Sequence, residues 1–128
     1  MTPQELMAKA QRALDSAKLL LDSGDVDGAC NRAYYAMFDA ARAALLATSA
    51  AVPAEVARTH SGLISAFSLH LVKPGLVAIE HGRSLNKVED LRLIADYRGE
   101  PVTLDNAAWA LEQAGNFLLA VQELQRRS

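Results

Sequence analysis

The chain has 128 residues, of which 51% are hydrophobic and 5% aromatic, and its formal net charge is −2. This composition predicts one compact domain over residues 1–128 with a core of alanine and leucine. A slightly acidic balance argues against strong, sequence-independent affinity for nucleic acid, because such affinity requires a basic excess.

Cys30 is the one cysteine, so no internal disulfide is available, and no Cys/His spacing typical of a metal site occurs. The N-terminus lacks the basic and apolar segments of a secretion signal, and no uncharged apolar stretch is long enough to cross a bilayer. We therefore expect a cytoplasmic protein with no membrane partner, no metal and no cofactor.

The first half of the chain predicts two long helices. Residues 2–5 (TPQE) read as a capping box with proline at the first helical position, and the apolar stripe that follows ends near Ser23. Asp25 or Asp27 can cap a second helix, rich in alanine, that extends to about Ser49.

The second half predicts three more helices. After a break at Pro53, apolar spacing indicates a helix over residues 59–72, and a fourth over residues 76–97. Thr103 caps a last helix that ends near Arg126. Since no segment alternates in the manner of a strand, the sequence predicts an all-α, up-and-down antiparallel bundle of four or five helices.

Two clusters of aromatic and charged residues interrupt these apolar helices, at residues 31–38 and 91–97. Arg92 and Asp96 are four residues apart on one helix, and Tyr97 follows where that helix ends. The pattern has two interpretations, an intrahelical ion pair or the lip of a pocket in which arginine meets phosphate and tyrosine stacks on a base. For the second, the Arg92 guanidinium must be exposed at a cleft beside Tyr97.

The first cluster spans more than one face of its helix. Tyr34 is expected in the core with its hydroxyl satisfied, whereas Arg32 and Tyr35 lie on adjacent faces and line either a groove or a dimer seam. His60 stands in a polar helix start where an anion could meet free backbone N–H groups. The predicted nucleotide- or RNA-binding residues are therefore Arg32, Tyr35, His60, Arg92, Asp96 and Tyr97.

Three segments resemble the small stand-alone HEPN proteins of bacteria and archaea ("higher eukaryotes and prokaryotes nucleotide-binding"): NRAYYAMFDAA from residue 31, THSGLISAF from residue 59 and LRLIADY from residue 91. The resemblance implies a helical bundle that forms homodimers and is often encoded beside a minimal nucleotidyltransferase in toxin–antitoxin or defence modules. Many HEPN toxins are metal-independent RNases with an Arg-x4-6-His motif. No arginine here precedes a histidine by that spacing, and Asp96 stands near the position of the motif's histidine.

Three hypotheses about function follow. The first is a nucleotide- or RNA-binding HEPN protein that acts with a nucleotidyltransferase. The second is a divergent RNase toxin in which Arg92 stabilises the phosphate while Asp96 or His60 handles protons. The third is a non-catalytic homodimeric scaffold whose seam is the alanine-rich second helix, through Ala33, Ala36, Ala40 and Ala44.

Overall fold

The computed structural model describes residues 1–48 and 51–127, and all regular structure in that part of the chain is helical. The prediction of an all-α bundle is confirmed. Four long helices form the bundle and two short helices complete it: α1 (Pro3–Asp22), α2 (Val26–Ala47), α3 (Ala54–Arg58), α4 (His60–Phe67), α5 (Ile79–Tyr97) and α6 (Leu104–Arg127).

Helix α2 is the centre of the bundle, since it packs against α1, α4, α5 and α6. Small side chains allow these close approaches. Ala33, Ala36, Ala40 and Ala44 are all fully buried by the chain's own helices. The prediction that these four alanines form a homodimer seam is therefore wrong, because the surface is already used inside one protomer.

The predicted starts of α1 and α2 are confirmed by their capping hydrogen bonds. The Glu5 backbone N–H donates to Thr2 Oγ1 at 3.1 Å, and the Thr2 N–H donates to Glu5 Oε1 at 3.0 Å, which completes the capping box. At α2 the cap is Asp25, whose Oδ1 accepts from the Gly28 N–H at 2.9 Å.

Asp27, the other candidate cap of α2, has a long-range role instead. Its Oδ1 accepts a hydrogen bond at 2.9 Å from the backbone N–H of Val102, 75 residues away. Thr103 follows directly and caps α6 as predicted, with its Oγ1 accepting from the Asn106 N–H at 3.1 Å. These bonds fix the loop before α6 against the start of α2.

The middle of the chain differs from the prediction of one helix over residues 59–72. Helix α3 is an additional short helix, and Thr59 then adopts an extended conformation and caps α4 by accepting from the Gly62 N–H at 3.0 Å. Helix α4 passes into a π-helical turn over Ser68–Val72. No side chain of α3 is buried, so the helix carries no apolar stripe that sequence reasoning could detect.

The remaining boundaries lie close to the predicted ones. Helix α5 begins at Ile79 rather than at Leu76. The predicted end of α2 at Ser49 lies outside the described residues. None of the described helices combines the length and apolar character that crossing a membrane requires.

The burial of the α2 alanines generates a test of the packing. We expect Ala36→Leu to lower the free energy of unfolding by about 1–3 kcal/mol, because a larger side chain overpacks a filled core. Ala8→Leu, at an exposed position of α1, is the matched control and should leave stability nearly unchanged. Urea unfolding followed by circular dichroism measures both variants; equal stabilities would contradict the packing described here.

Candidate functional site

The two clusters of the sequence meet in space, where α2, α4 and α5 pack together. We call the group the tyrosine–arginine cluster, and it consists of Asn31, Tyr34, Tyr35, Phe38, His60, Glu89, Arg92 and Asp96. Its longest connection in sequence is a hydrogen bond of 3.2 Å from Asn31 Nδ2 to Asp96 Oδ2, which joins α2 to the end of α5 across 65 residues. The bundle thus assembles polar groups from three separate helices at one place.

Arg92 is the centre of this cluster and is only 4% exposed. Its Nε donates to Glu89 Oε2 at 3.1 Å and its Nη2 to Glu89 Oε1 at 3.2 Å, a bidentate pair. Its Nη1 donates to Asp96 Oδ2 at 3.3 Å. The expectation of an exposed Arg92 guanidinium at a cleft is therefore wrong, since all three of its nitrogens are occupied by carboxylates of the same helix.

Aromatic rings also surround the Arg92 guanidinium. Its central carbon lies 4.9 Å from the ring centroid of Tyr34, 5.7 Å from that of Tyr35 and 6.0 Å from that of Tyr97. Such contacts favour the cation through the negative ring faces. Burial alone would lower the pKa of Arg92, but its hydrogen bonds and charge interaction with Glu89 outweigh burial and raise that pKa, so the group stays charged.

Tyr34 is fully buried, and its hydroxyl is hydrogen-bonded to Nδ1 of His60 at 2.7 Å. The prediction that Tyr34 lies in the core with a satisfied hydroxyl is confirmed. Burial, followed by the negative charge of Glu89, raises the pKa of the phenol above its ordinary value. Tyr34 is therefore a neutral phenol that fixes the orientation of the half-buried His60 ring.

His60 also belongs to an aromatic group. Its ring centroid lies 5.1 Å from that of Phe38, 5.4 Å from that of Tyr34 and 5.9 Å from that of Tyr35. These distances are typical of tilted and edge-to-face ring pairs. The imidazole is thus held by packing as well as by its hydrogen bond.

The outer face of the cluster consists of two of its members, Tyr35 and Asp96, together with Arg32 and Tyr97 beside them. Tyr97 is 75% exposed, and the side chain of Asp96 is 33% exposed. Arg32 and Tyr35 are half-buried, and the guanidinium carbon of Arg32 lies 6.0 Å from the Tyr35 ring centroid. The structure thus brings the six predicted binding residues together, but it places Arg92 beneath this face rather than on it.

Sequence reasoning did not identify Glu89 as a member of the site, and Asn31 and Phe38 were noticed only as parts of the first cluster and its motif. Glu89 lies three residues before Arg92, a spacing that brings side chains together on a helix, so the signal was present. Only the fold shows that this pair is buried, with the Glu89 side chain 12% exposed.

The thiol of Cys30 and the remaining acidic and histidine side chains contribute little chemistry outside the cluster. Cys30 is buried, and burial, with the nearby carboxylates of Asp27 and Asp96, raises the pKa of its thiol to about 11, so the nucleophilic thiolate is disfavoured. Within residues 1–48 and 51–127, no three His, Cys, Asp or Glu side chains are grouped closely enough to hold a metal ion.

The Glu89–Arg92 pair generates a test of the site's architecture. We expect Glu89→Gln to lower the free energy of unfolding by about 3 kcal/mol, because Arg92 then loses a charged partner while it stays buried. The matched control is Glu123→Gln in the exposed pair Glu123–Arg126, which has the same spacing and should leave stability nearly unchanged because solvent screens the pair. Denaturant unfolding of both variants measures the difference; equal losses would show that Arg92 does not depend on Glu89.

Comparisons with known proteins agree with the fold and the motifs. The model of the HEPN domain family matches residues 3–124. A UPF0332 protein of Gloeobacter violaceus is 43% identical over 101 residues, covering 77% of this chain and 76% of the relative. A UPF0332 protein of Thermotoga maritima is 36% identical over 118 residues, with coverages of 91% and 85%. A candidate toxin of Methanocaldococcus jannaschii is 34% identical over 115 residues, with coverages of 90% and 82%. The chain belongs to the HEPN domain family.

Proposed function

We propose that this chain is the RNA- or nucleotide-binding component of a toxin–antitoxin or defence module, with the ligand on the outer face of the tyrosine–arginine cluster. The observation that carries the proposal is the buried Arg92, held by two carboxylates beneath accessible tyrosines. A buried ion pair seldom stabilises a fold more than apolar residues would. Perturbed, desolvated charges of this kind are concentrated at functional sites.

The accessible groups fit single-stranded nucleic acid. Tyr97 and Tyr35 offer ring faces on which bases stack, and Arg32 offers a cation for a phosphate. The Asp96 carboxylate accepts hydrogen bonds, which suits a base amino group or a ribose 2′-hydroxyl rather than a phosphate. Because its nitrogens are occupied, Arg92 acts as a positioning residue that holds Asp96 and the tyrosine rings.

The wider setting is also part of the proposal. A relative that covers most of this chain is named as a candidate toxin. The resemblance to stand-alone HEPN proteins adds a minimal nucleotidyltransferase as partner. The composition and the single cysteine lead us also to propose a single domain over residues 1–128 and a cytoplasmic location. A homodimer, which the same resemblance implies, would use a surface other than the four alanines buried in α2.

RNA binding can be tested by fluorescence anisotropy with a labelled single-stranded RNA hexamer. We expect Tyr97→Ala to weaken binding about tenfold, since one stacked base contributes about 1–3 kcal/mol. Leu119→Ala removes a similarly exposed apolar side chain from α6 and should bind as the wild type does. A wild-type protein that binds neither RNA nor mononucleotides at low salt would overturn the proposal.

A second candidate function is an RNase toxin, and the hydrogen bond between His60 and Tyr34 favours it. An imidazole held by the hydroxyl of Tyr34, whose ring also lies against the buried Arg92 guanidinium, could take the proton from a ribose 2′-hydroxyl. The 2′-oxygen would then attack the adjacent phosphorus, and the 5′-oxygen would leave with a proton from an acid, so the products would be a 2′,3′-cyclic phosphate and a free 5′-hydroxyl.

Induced expression in a bacterial host tests the RNase function. We expect growth arrest with RNA breakdown, lost in His60→Gln because the imidazole is removed. His70→Gln, in the π-helical turn outside the cluster, is the matched control and should remain toxic. Harmless expression of a folded wild-type protein, or toxicity that survives His60→Gln, would remove this candidate.

A further inference from the structure

A pocket of about 410 Å³ lies beside the tyrosine–arginine cluster, where the second half of α2 faces α3 and the start of α4. Its walls are mostly apolar and include Phe38, Leu45, Val52 and Leu63. This volume lies within the range of small-molecule sites, which typically combine apolar walls with a few polar groups.

The charged residues that line the pocket are two arginines, Arg42 and Arg58. Arg58 is exposed and takes part in no ion pair within the described part of the chain. Arg42 lies 3.8 Å from Asp39 Oδ1, a long contact with a carboxyl whose pKa is raised by burial. The pocket therefore carries positive charge that the protein does not fully neutralise, and it would attract an anionic group.

Phe38 connects the pocket to the cluster. Its ring forms part of the pocket wall, and its centroid lies 6.2 Å from that of Tyr35. A ligand in the pocket would thus be separated from the outer face of the cluster by one aromatic layer. The two sites are close enough for adjacent parts of one ligand.

We propose that this pocket binds a nucleotide, with the base against Phe38 and the aliphatic wall and the phosphate at Arg42 and Arg58. The assignment rests on the proposed function, which supplies the class of ligand. Contact between the base and the apolar wall buries apolar surface of both, which is favourable. The nitrogens of an arginine match the oxygens of a phosphate in geometry and charge. The nucleotide is either part of an RNA strand whose next base reaches the cluster, or a free mononucleotide.

The test uses the full chain with three probes: a labelled single-stranded RNA hexamer, AMP, and adenosine, which lacks the phosphate. Arg58→Ala removes the accessible cation, and Ala57→Trp fills the half-buried wall on α3. Arg126→Ala, which removes the same charge from the exposed end of α6, is the matched control. Circular dichroism and thermal unfolding verify that each variant is folded.

For a nucleotide within RNA, we expect Arg58→Ala and Ala57→Trp each to weaken hexamer binding about fivefold. Arg58→Ala should also reduce the slope of log Kd against log salt by about 0.7, the value for one phosphate contact on a single strand. For a free mononucleotide, the same two variants lose AMP binding while hexamer binding is unchanged. In both cases adenosine binds more weakly than AMP.

The proposal is overturned if Arg58→Ala and Ala57→Trp weaken the binding of neither the hexamer nor AMP by more than the Arg126→Ala control does. If Tyr97→Ala still weakens hexamer binding in that case, the pocket fails and the proposed function stands. If the hexamer does not bind at all but AMP binding depends on Arg58, the pocket stands and the RNA form of the proposed function fails.

Discussion

The bidentate ion pair between Glu89 and Arg92 is the interaction on which the candidate site depends. Removing a guanidinium from water costs several kcal/mol, so Arg92 can lie at 4% exposure only because carboxylates satisfy its nitrogens and aromatic rings cover its faces. The consequence extends beyond α5. With Arg92 fixed, Asp96 is held in place to accept from Asn31, and the rings of Tyr34 and Tyr35 have a defined neighbour. This charged group thereby adds polar contacts between α2 and the end of α5 to their apolar packing.

Helix α2 contributes to the core with one face and to the candidate site with another. Its alanines allow α1 and α6 to approach closely, whereas its aromatic residues, Tyr34, Tyr35 and Phe38, face α4 and the cluster. Because the same helix forms the core and the site, the packing of the bundle also positions the three aromatic side chains of the site on α2. The accessible part of the site lies at the end of α5. Tyr97 is the last residue of that helix and the most exposed aromatic residue of the site.

Much of this structure could be predicted from local sequence signals. The caps at Thr2, Asp25 and Thr103 are hydrogen bonds between residues three apart, so the sequence predicts them. The apolar stripes likewise identify the long helices. The six candidate residues were chosen from the sequence by their aromatic and charged character and, for His60, by its place at a polar helix start. The burial of Arg92 could not be predicted. An ion pair at i,i+3 or i,i+4 has the same sequence spacing whether it is exposed to solvent or packed against three aromatic rings. Helix α3 was not predicted because it buries no side chain and therefore has no apolar pattern in the sequence.

Charge balance decides how such a site would hold nucleic acid. Glu89 and Asp96 together more than neutralise Arg92, so the centre of the cluster offers no net positive charge to a phosphate. The available cations near the cluster are peripheral and include Arg32 beside Tyr35, and Arg42 and Arg58 in the adjacent pocket. Affinity would therefore depend more on stacking and on a few phosphate contacts than on a broad basic surface, and its salt dependence would be shallow. If the proposed function holds, a chain with a net charge of −2 would bind a short single strand on these terms without attracting duplex nucleic acid in general.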